Sequence, residues 1–215
     1  MRSRWTAAVV LAATWVLSLV IYLRAPARMP THWNARGEID AWGSPATTFI
    51  LPFVATMVLV SLPVLPRLDP RRANWAKFQG EVRVIINVLV MFLAWMELST
   101  FGSYVFGWKI DEGRGTLAAM GVLLMVIGNY LPRIRSNWWM GIRTPWTLTS
   151  DHVWRETHRL GGRTFVGAGM VSVLAGVALP MEPGVWVAMA AVGLGALAPV
   201  IYSYVVWRRE ATAGR

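Results

Sequence analysis

Residues 5–23 read "WTAAVVLAATWVLSLVIYL", an apolar run without a single charged side chain. A helix needs about 20 such residues to cross the hydrocarbon core of a bilayer. Comparable runs recur along the chain, and the full set is 5–23, 47–65, 84–106, 117–131, 164–179 and 185–207. The fourth and fifth runs are short, so we expect them to borrow flanking residues or to tilt against their neighbours. The pattern predicts an all-α polytopic membrane bundle of about six transmembrane helices.

The composition supports the same class of protein. Of the 215 residues, 55% are hydrophobic and only 15% are charged, which is too apolar for an ordinary soluble domain. The absence of cysteine excludes disulfides and thiolate metal sites, and no motif implies a cofactor. The net charge of +10 would suit a nucleic-acid binder, but in a membrane protein basic residues usually set the topology. We therefore predict no direct contact with nucleic acid.

The basic residues are unevenly distributed between the connections. Most lysines and arginines lie at the two termini and after the second and fourth apolar runs, which places these segments in the cytoplasm by the positive-inside rule. The first run is longer than the core of a cleavable signal peptide, so we expect the first helix to be retained. The chain then forms one integral membrane domain, 1–215. Residues 1–106 are a three-helix part with an outer loop, 24–46, and residues 107–215 are a second part with a cytoplasmic loop, 132–163.

The outer loop contains the sequence "RMPTHWNARGEIDAWGSP", residues 28–45, in which proline and glycine punctuate turns. A histidine with two carboxylates can bind a divalent metal or act as acid and base, but the spacing fits no compact ligand template. We favour a structured recognition loop over a merely solvated loop, with a metal or catalytic site as the third alternative. The candidate binding residues are His32, Trp33, Asn34, Gly37, Asp40 and Trp42.

Two polar residues fall inside the third apolar run. Asn87 lies near its start and Glu97 lies deeper, in "LAWMELSTF". A charged residue at such a depth costs roughly 2.5–3.5 kcal/mol on insertion scales, so it usually faces protein or water. Two interpretations remain open for Glu97: a protonated or hydrogen-bonded structural carboxyl packed against Ser99, Thr100 or a neighbouring helix, and a role in transport or binding.

The cytoplasmic loop contains a dense set of directional side chains in "NWWMGIRTPWTLTSDHVWRETHRLGG", residues 137–162. Ser150 can cap a helix that begins at Asp151, with Gly161 or the following glycine as its stop. On this helix Trp154 and His158 are four apart and share a face, and Asp151 can pair with Arg155. The segment can also be interpreted as an amphipathic anchor that lies on the lipid headgroups.

Small residues and prolines within the runs predict how the helices pack. Ala168, Ser172 and Gly176 recur every four residues, which favours close intramolecular packing over a dimer contact. We expect kinks rather than breaks at Pro63 and Pro199, because neighbouring helices can satisfy the freed carbonyls.

Four segments together resemble the SdpI-like family of bacterial membrane immunity proteins, whose N-terminal part is a domain of unknown function. They are "MPTHWNARGEID" (29–40), "LPRLDPRRANWAKFQGE" (65–81), "GNYLP" (128–132) and "GIRTPWTLTSDHVWRETHRLGG" (141–162). The resemblance implies a polytopic protein that protects a cell against a secreted toxin made by its siblings and, when toxin is present, holds a transcriptional repressor at the membrane. On the outer side, the family pattern includes His32, Trp33, Asn34, Gly37 and Asp40. Inside, it falls on Asn129, Asn137, Gly141, Arg143, Thr144, Pro145, Trp146, Trp154, Thr157, His158 and Arg159.

We therefore expect an immunity or receptor-like protein of the bacterial cytoplasmic membrane, and not an enzyme. Its expected partners are the lipid bilayer, a secreted peptide toxin outside and a transcriptional repressor inside. The alternative is a small transporter or channel that uses Glu97 with Asn87 and Asn129. A membrane enzyme that uses His32 with Asp40, or Arg143 with His158, lacks a recognisable nucleophile with an oriented base. The sequence gives no oligomeric state.

Overall fold

A computed structural model describes residues 3–108 and 111–213. Arg2, Lys109 and Arg215, which contribute to the predicted orientation, lie outside these ranges. The described elements are α1 (Ser3–Arg24), β1 (Met29–Trp33), β2 (Ile39–Gly43), a 3₁₀ turn (Pro45–Phe49), α2 (Ile50–Ser61), α3 (Leu65–Leu68), α4 (Arg72–Trp75), α5 (Gln79–Met96), a π-helical segment (Glu97–Gly102), α6 (Ser103–Phe106), α7 (Glu112–Tyr130), a 3₁₀ turn (Leu131–Arg133), α8 (Pro145–Thr149), α9 (Asp151–Ala178) and α10 (Met181–Ala213).

The predicted all-α membrane bundle is confirmed. Among the described residues, five helical segments are long and apolar enough to cross a membrane: Trp5–Arg24, Gln79–Phe106, Glu112–Arg133, Asp151–Ala178 and Met181–Ala213. The second predicted run forms a shorter apolar helix, Pro45–Ser61. The fourth and fifth runs borrow flanking residues, as expected: polar residues at their N-terminal ends extend both helices to spanning length.

Proline explains why the second run is short. Helix α2 ends at Ser61, a turn contains Pro63, and α3 begins at Leu65. Proline has no amide hydrogen and its ring clashes with the carbonyl one turn before it, so the helix ends here instead of bending as predicted. Pro199 behaves as expected, since α10 continues through it to Ala213.

The predicted helix stop at Gly161 or Gly162 was also wrong, because α9 continues to Ala178. Both glycines have ordinary helical backbone, and both are buried. A Cβ on Gly162 would lie 2.8 Å from the carbonyl oxygen of Gly128 on α7. This glycine therefore lets two helices approach each other, a use that the sequence pattern alone did not separate from helix termination.

The close approach of α7 and α9 repeats one heptad further along. A Cβ on Gly121 would lie 2.5 Å from the carbonyl oxygen of Gly169, and a Cβ on Gly169 would lie equally close to that of Gly121. At a third level Arg114 occupies the α7 position: its Nε donates to the carbonyl oxygen of Gly176 at 2.9 Å. The two antiparallel helices are thus in backbone contact along their whole shared length.

The small residues on α9 pack within the chain, as predicted, but they serve two different neighbours. Ala168 faces α10, where a Cβ on Gly195 would lie 3.1 Å from its Cβ, whereas Gly176 faces α7. Ser172 donates to the carbonyl oxygen of Ala168 at 2.8 Å within α9 itself. Helix α9 is therefore the centre of a three-helix layer with α7 and α10.

Candidate functional site

The predicted outer loop is an ordered β-hairpin, Met29–Gly43, which we call the outer hairpin after its predicted side of the membrane. Its strands are antiparallel, with Met29 opposite Gly43 and Trp33 opposite Ile39. Met29 is fully buried and packs with Ile21 of α1 and Phe101 of the π-helical segment. The hairpin is therefore fixed to the helices at its base, while most of its other residues are exposed.

Asn34 and Gly37 shape the hairpin turn. The Asn34 Oδ1 accepts from the backbone N–H groups of Arg36 at 2.9 Å and Glu38 at 3.1 Å, and its Nδ2 donates to the Glu38 carboxylate at 2.9 Å. Gly37 has a φ of 79°, a left-handed conformation that favours glycine. These two predicted site residues thus give the turn a defined shape.

The remaining hairpin candidates are two aromatic residues and an acid–imidazole pair. His32 Nδ1 lies 2.6 Å from Asp40 Oδ1, and both side chains are largely exposed. Trp42 meets Tyr104 of α6 edge-on, with ring centroids 5.9 Å apart, and Trp33 is half-buried. No group of three or more metal-ligating side chains occurs in the part of the chain that the structure describes. The exposed side chains of His32, Asp40 and Trp42, which we call the hairpin face, therefore offer an aromatic and acid–imidazole surface.

The hairpin turn also lies beside the last helix. A Cβ on Gly37 would be 3.6 Å from Cγ of Met181, the first residue of α10. The turn of the outer hairpin therefore lies close to the C-terminal half of the molecule, while its base packs on α1.

Glu97, the intramembrane carboxyl, lies beneath the outer hairpin. Its side chain is fully buried, and Oε1 accepts from Ser18 of α1 at 2.7 Å and from Thr48 of the 3₁₀ turn. Of the predicted partners, the neighbouring helix is the one observed, since Ser18 belongs to α1, whereas Ser99 and Thr100 do not bond to this carboxyl. Asn87 is half-buried on α5 and Asn129 is exposed near the end of α7, so the latter does not share an interior site with Glu97.

At the opposite end of α5, residues 134–150 form a compact segment that we call the inner motif. Asn137 is fully buried at its centre. Its Nδ2 donates to the carbonyl oxygens of Arg135 and Met140, both at 2.9 Å, and its Oδ1 accepts from the N–H groups of Trp139 at 2.8 Å and Met140 at 2.7 Å. The two donor and two acceptor positions of the Asn137 amide are thus all filled, and they hold the loop in one conformation.

Gly141 of the inner motif lies against His158 of α9. Gly141 has a φ of 105°, and a Cβ there would overlap Nε2 of His158. That nitrogen accepts from the Ile142 N–H at 3.0 Å, which requires the proton on Nδ1, and Nδ1 donates to the Trp154 carbonyl oxygen at 2.8 Å. The predicted shared face of Trp154 and His158 is confirmed by stacked rings 4.0 Å apart.

The threonines of the motif cap a short helix and bind the last helix. Thr144 and Thr147 form a reciprocal capping box around α8, which begins at Pro145. Thr144 Oγ1 also lies 3.2 Å from the hydroxyl of Ser203 on α10. Trp146 packs against Tyr204 and Trp207 on the same helix. The motif is thereby docked on the far end of α10.

Asp69 is a key residue that the sequence reasoning missed. Its Oδ2 accepts from Trp75 Nε1 at 2.6 Å and from the Trp138 N–H at 3.1 Å, and its Oδ1 accepts from the Arg71 N–H at 2.7 Å. An Asp-Pro pair is typical of a turn, but no local pattern indicates a bond to Trp138 in a distant loop. Asp69 joins the N-terminal half of the chain to the inner motif.

The exposed residues of this region are mostly basic or aromatic. Arg143 is exposed and donates to the Trp138 carbonyl oxygen at 2.6 Å. Trp138 and Trp139 are 50% and 41% exposed. Thr157 is buried, whereas Arg159 is exposed and pairs with Glu156 at 2.6 Å.

Two details of the start of α9 were predicted from the sequence. Ser150 caps the helix as expected, with its side chain accepting from the Val153 N–H. The expected pair of Asp151 with Arg155 is not formed, since Asp151 lies 3.9 Å from Arg71 instead. The cap depends on local spacing alone, whereas the choice of cation depends on which loop folds over the helix.

The comparisons with known proteins agree with the resemblance seen in the motifs. Residues 133–203 match the model of the SdpI/YfhL protein family, and residues 9–56 match a domain of unknown function, DUF1648. The chain is 21% identical over 163 residues to "Immunity protein SdpI" of Bacillus subtilis (strain 168), with 76% of each chain covered. No solved structure matches the chain. The predicted resemblance is confirmed, and the protein is a multi-pass bacterial membrane protein.

Proposed function

We propose that this membrane protein, whose residues 133–203 match the model of the SdpI/YfhL family, is an immunity protein that senses or neutralises a secreted antimicrobial peptide. The single observation that carries the proposal is the outer hairpin, an ordered and largely exposed structure with an aromatic and acid–imidazole face. A rigid surface loses little conformational entropy when it binds a peptide. Asp40 orients the imidazole of His32, but no hydroxyl or amine of the described residues hydrogen-bonds to that ring, so binding is a better reading of this face than catalysis.

The hairpin offers two kinds of contact to a peptide. Trp42 is 45% exposed and supplies apolar surface, while His32 and Asp40 supply directional polar groups. Tryptophan is enriched among the residues that dominate binding energy at interfaces. We assign the recognition of toxin to these three residues, and we assign the shape of the hairpin to Asn34 and Gly37.

The inner motif is the proposed reporting surface. Its buried residues hold the fold, so only exposed side chains such as Arg143, Trp138 and Trp139 are free to contact a cytoplasmic partner. A transcriptional repressor held here would meet a basic and aromatic surface, which would favour acidic patches on the repressor.

Helix α10 gives a physical connection between the two surfaces. It begins with Met181 beside the hairpin turn and carries Ser203, which contacts Thr144 of the inner motif. A toxin that moved the hairpin against Met181 would act on the same rigid element that holds the inner motif. The proposed signal is a small displacement of α10.

The test is survival of a toxin-sensitive Gram-positive strain that expresses the protein. Cells would be exposed to serial dilutions of a secreted killing peptide from a toxin-producing Bacillus strain, with Asp40→Ala and Arg143→Ala compared at matched membrane levels. Glu182→Ala, which removes an exposed carboxylate at the start of α10 outside the hairpin, is the matched control. We expect Asp40→Ala to lose protection while Arg143→Ala and Glu182→Ala retain it.

Two outcomes would count against this assignment. Full protection by Asp40→Ala would remove the hairpin from toxin recognition. If no version of the protein protects the cells despite normal membrane levels, the result would favour the transporter alternative over immunity. That alternative has one observation in its favour, the buried carboxyl of Glu97, and it predicts a proton or solute flux in liposomes that Glu97→Gln abolishes.

A further inference from the structure

Glu97 occupies an irregular place in its helix. The six residues Glu97–Gly102 form a π-helical segment between α5 and α6. Such segments are rare and frequently occur at functional sites. The side chain of Glu97 is fully buried, and it lies between the elements that precede and follow the outer hairpin.

The two oxygens of this carboxyl have unequal surroundings. Oε1 accepts hydrogen bonds from both Ser18 and Thr48, whereas Oε2 has no hydrogen-bond partner among the described residues. An ionised carboxylate has two equivalent acceptor oxygens, and both need donors when buried. A neutral carboxyl has one carbonyl oxygen, whose two lone pairs can accept both hydroxyls, and one hydroxyl on Oε2 that is left without an acceptor among the described residues. One unpaired hydroxyl costs far less than one unpaired charged oxygen.

The charges around the site favour the same state. None of the ion pairs between described residues includes Glu97. Residues 5–23 and 45–66, which contribute Ser18 and Thr48, contain no lysine, arginine or histidine. Of the nearest cations, Arg24 at the end of α1 lies over the Phe106 ring, and Arg114 of α7 donates to the Gly176 carbonyl oxygen. An unpaired carboxylate in an apolar interior is far more costly than a buried hydroxyl, so buried acids become neutral when no cation is available.

We propose that Glu97, with Ser18 and Thr48, is a proton-binding site in the membrane interior. The proton is on Oε2, and Oε1 is the carbonyl oxygen that the two hydroxyls fill. The neutral carboxyl then joins α1 to the 3₁₀ turn that follows the hairpin, at the base of the hairpin. In this role Glu97 binds its proton permanently and does not pass it on, and the inference does not depend on toxin immunity.

The test is infrared difference spectroscopy of the protein in lipid nanodiscs near neutral pH. Subtracting the spectrum of Glu97→Gln from that of the unchanged protein isolates this carboxyl among the 11 acidic residues. We expect a carbonyl band of a protonated carboxylic acid, which shifts only slowly in heavy water because the site is buried. Glu38→Gln, on the exposed hairpin turn, is the matched control and should remove carboxylate bands instead.

A second variant keeps the test decisive if Glu97→Gln does not fold. Thr48→Val removes one of the two hydroxyl donors, so the acid carbonyl band should remain and move to higher frequency. The proposal would be overturned if the Glu97 difference spectrum contained carboxylate bands and no band of a protonated acid. An acid band that Thr48→Val leaves unmoved would overturn the assignment of the proton to this site.

Discussion

Replacing Gly141 by alanine should destabilise the inner motif through two separate effects. The φ of 105° at this position is outside the range that favours L-residues. Forcing an alanine into a left-handed backbone costs about 1–2 kcal/mol. The new Cβ would also overlap Nε2 of the fully buried His158, so the imidazole must move and release the Ile142 N–H.

The overlap of the new Cβ with His158 has an energetic cost of its own. Overpacking a filled interior costs about 1–3 kcal/mol. The sum for Gly141→Ala is therefore about 2–5 kcal/mol, combining the two ranges. Gly107→Ala is the matched control: Gly107 also has a positive φ, of 69°, but a Cβ there meets nothing within 4 Å. The control should lose only the backbone contribution.

The measurement is the free energy of unfolding in mixed micelles, from the tryptophan fluorescence of each variant during titration with denaturing detergent. Trp154, which stacks on His158, makes the inner motif visible in that signal. We expect Gly141→Ala to be less stable than Gly107→Ala by about 1–3 kcal/mol. If the two variants agree within about 0.5 kcal/mol, the contact between Gly141 and His158 does not contribute as described.

The same titration tests two further contacts. Gly169→Ala should destabilise the α7–α9 pair by about 1–3 kcal/mol, because its Cβ would lie 2.5 Å from a backbone oxygen. Gly167→Ala, two residues away in open space, should be neutral or gain up to about 1 kcal/mol of helix propensity, and equal losses at both sites would contradict the described seam. Asp69→Ala should cost about 1–3 kcal/mol for each buried donor that it leaves unpaired, with Asp69→Asn losing less because it keeps one acceptor oxygen. A loss no larger for alanine than for asparagine would mean that Trp75 finds another acceptor.

The class of fold could be predicted from the sequence because it depends on the length and polarity of single segments. The run 5–23 by itself indicates a membrane-spanning helix. The cap of α9 is also a local feature, because Ser150 bonds to a residue three positions along. The hairpin turn is local too, since Asn34 contacts residues within four positions. Partnerships between distant segments could not be predicted in this way. Glu97 finds its donors 79 and 49 residues away, and no periodicity within its own helix identifies them.

The error at Gly161 and Gly162 shows which further signal the sequence contains. A glycine near a polar helix end fits a C-terminal stop, and the same residue fits a close contact between helices, so its type alone decides nothing. The spacing is more informative: Gly162, Gly169 and Gly176 are seven apart, and so are Gly121 and Gly128 in the preceding run. A seven-residue repeat keeps glycine on nearly one face of a helix over two turns. Two such repeats in consecutive helices favour antiparallel backbone contact, and a helix that ended at Gly162 would leave the second repeat without its partner.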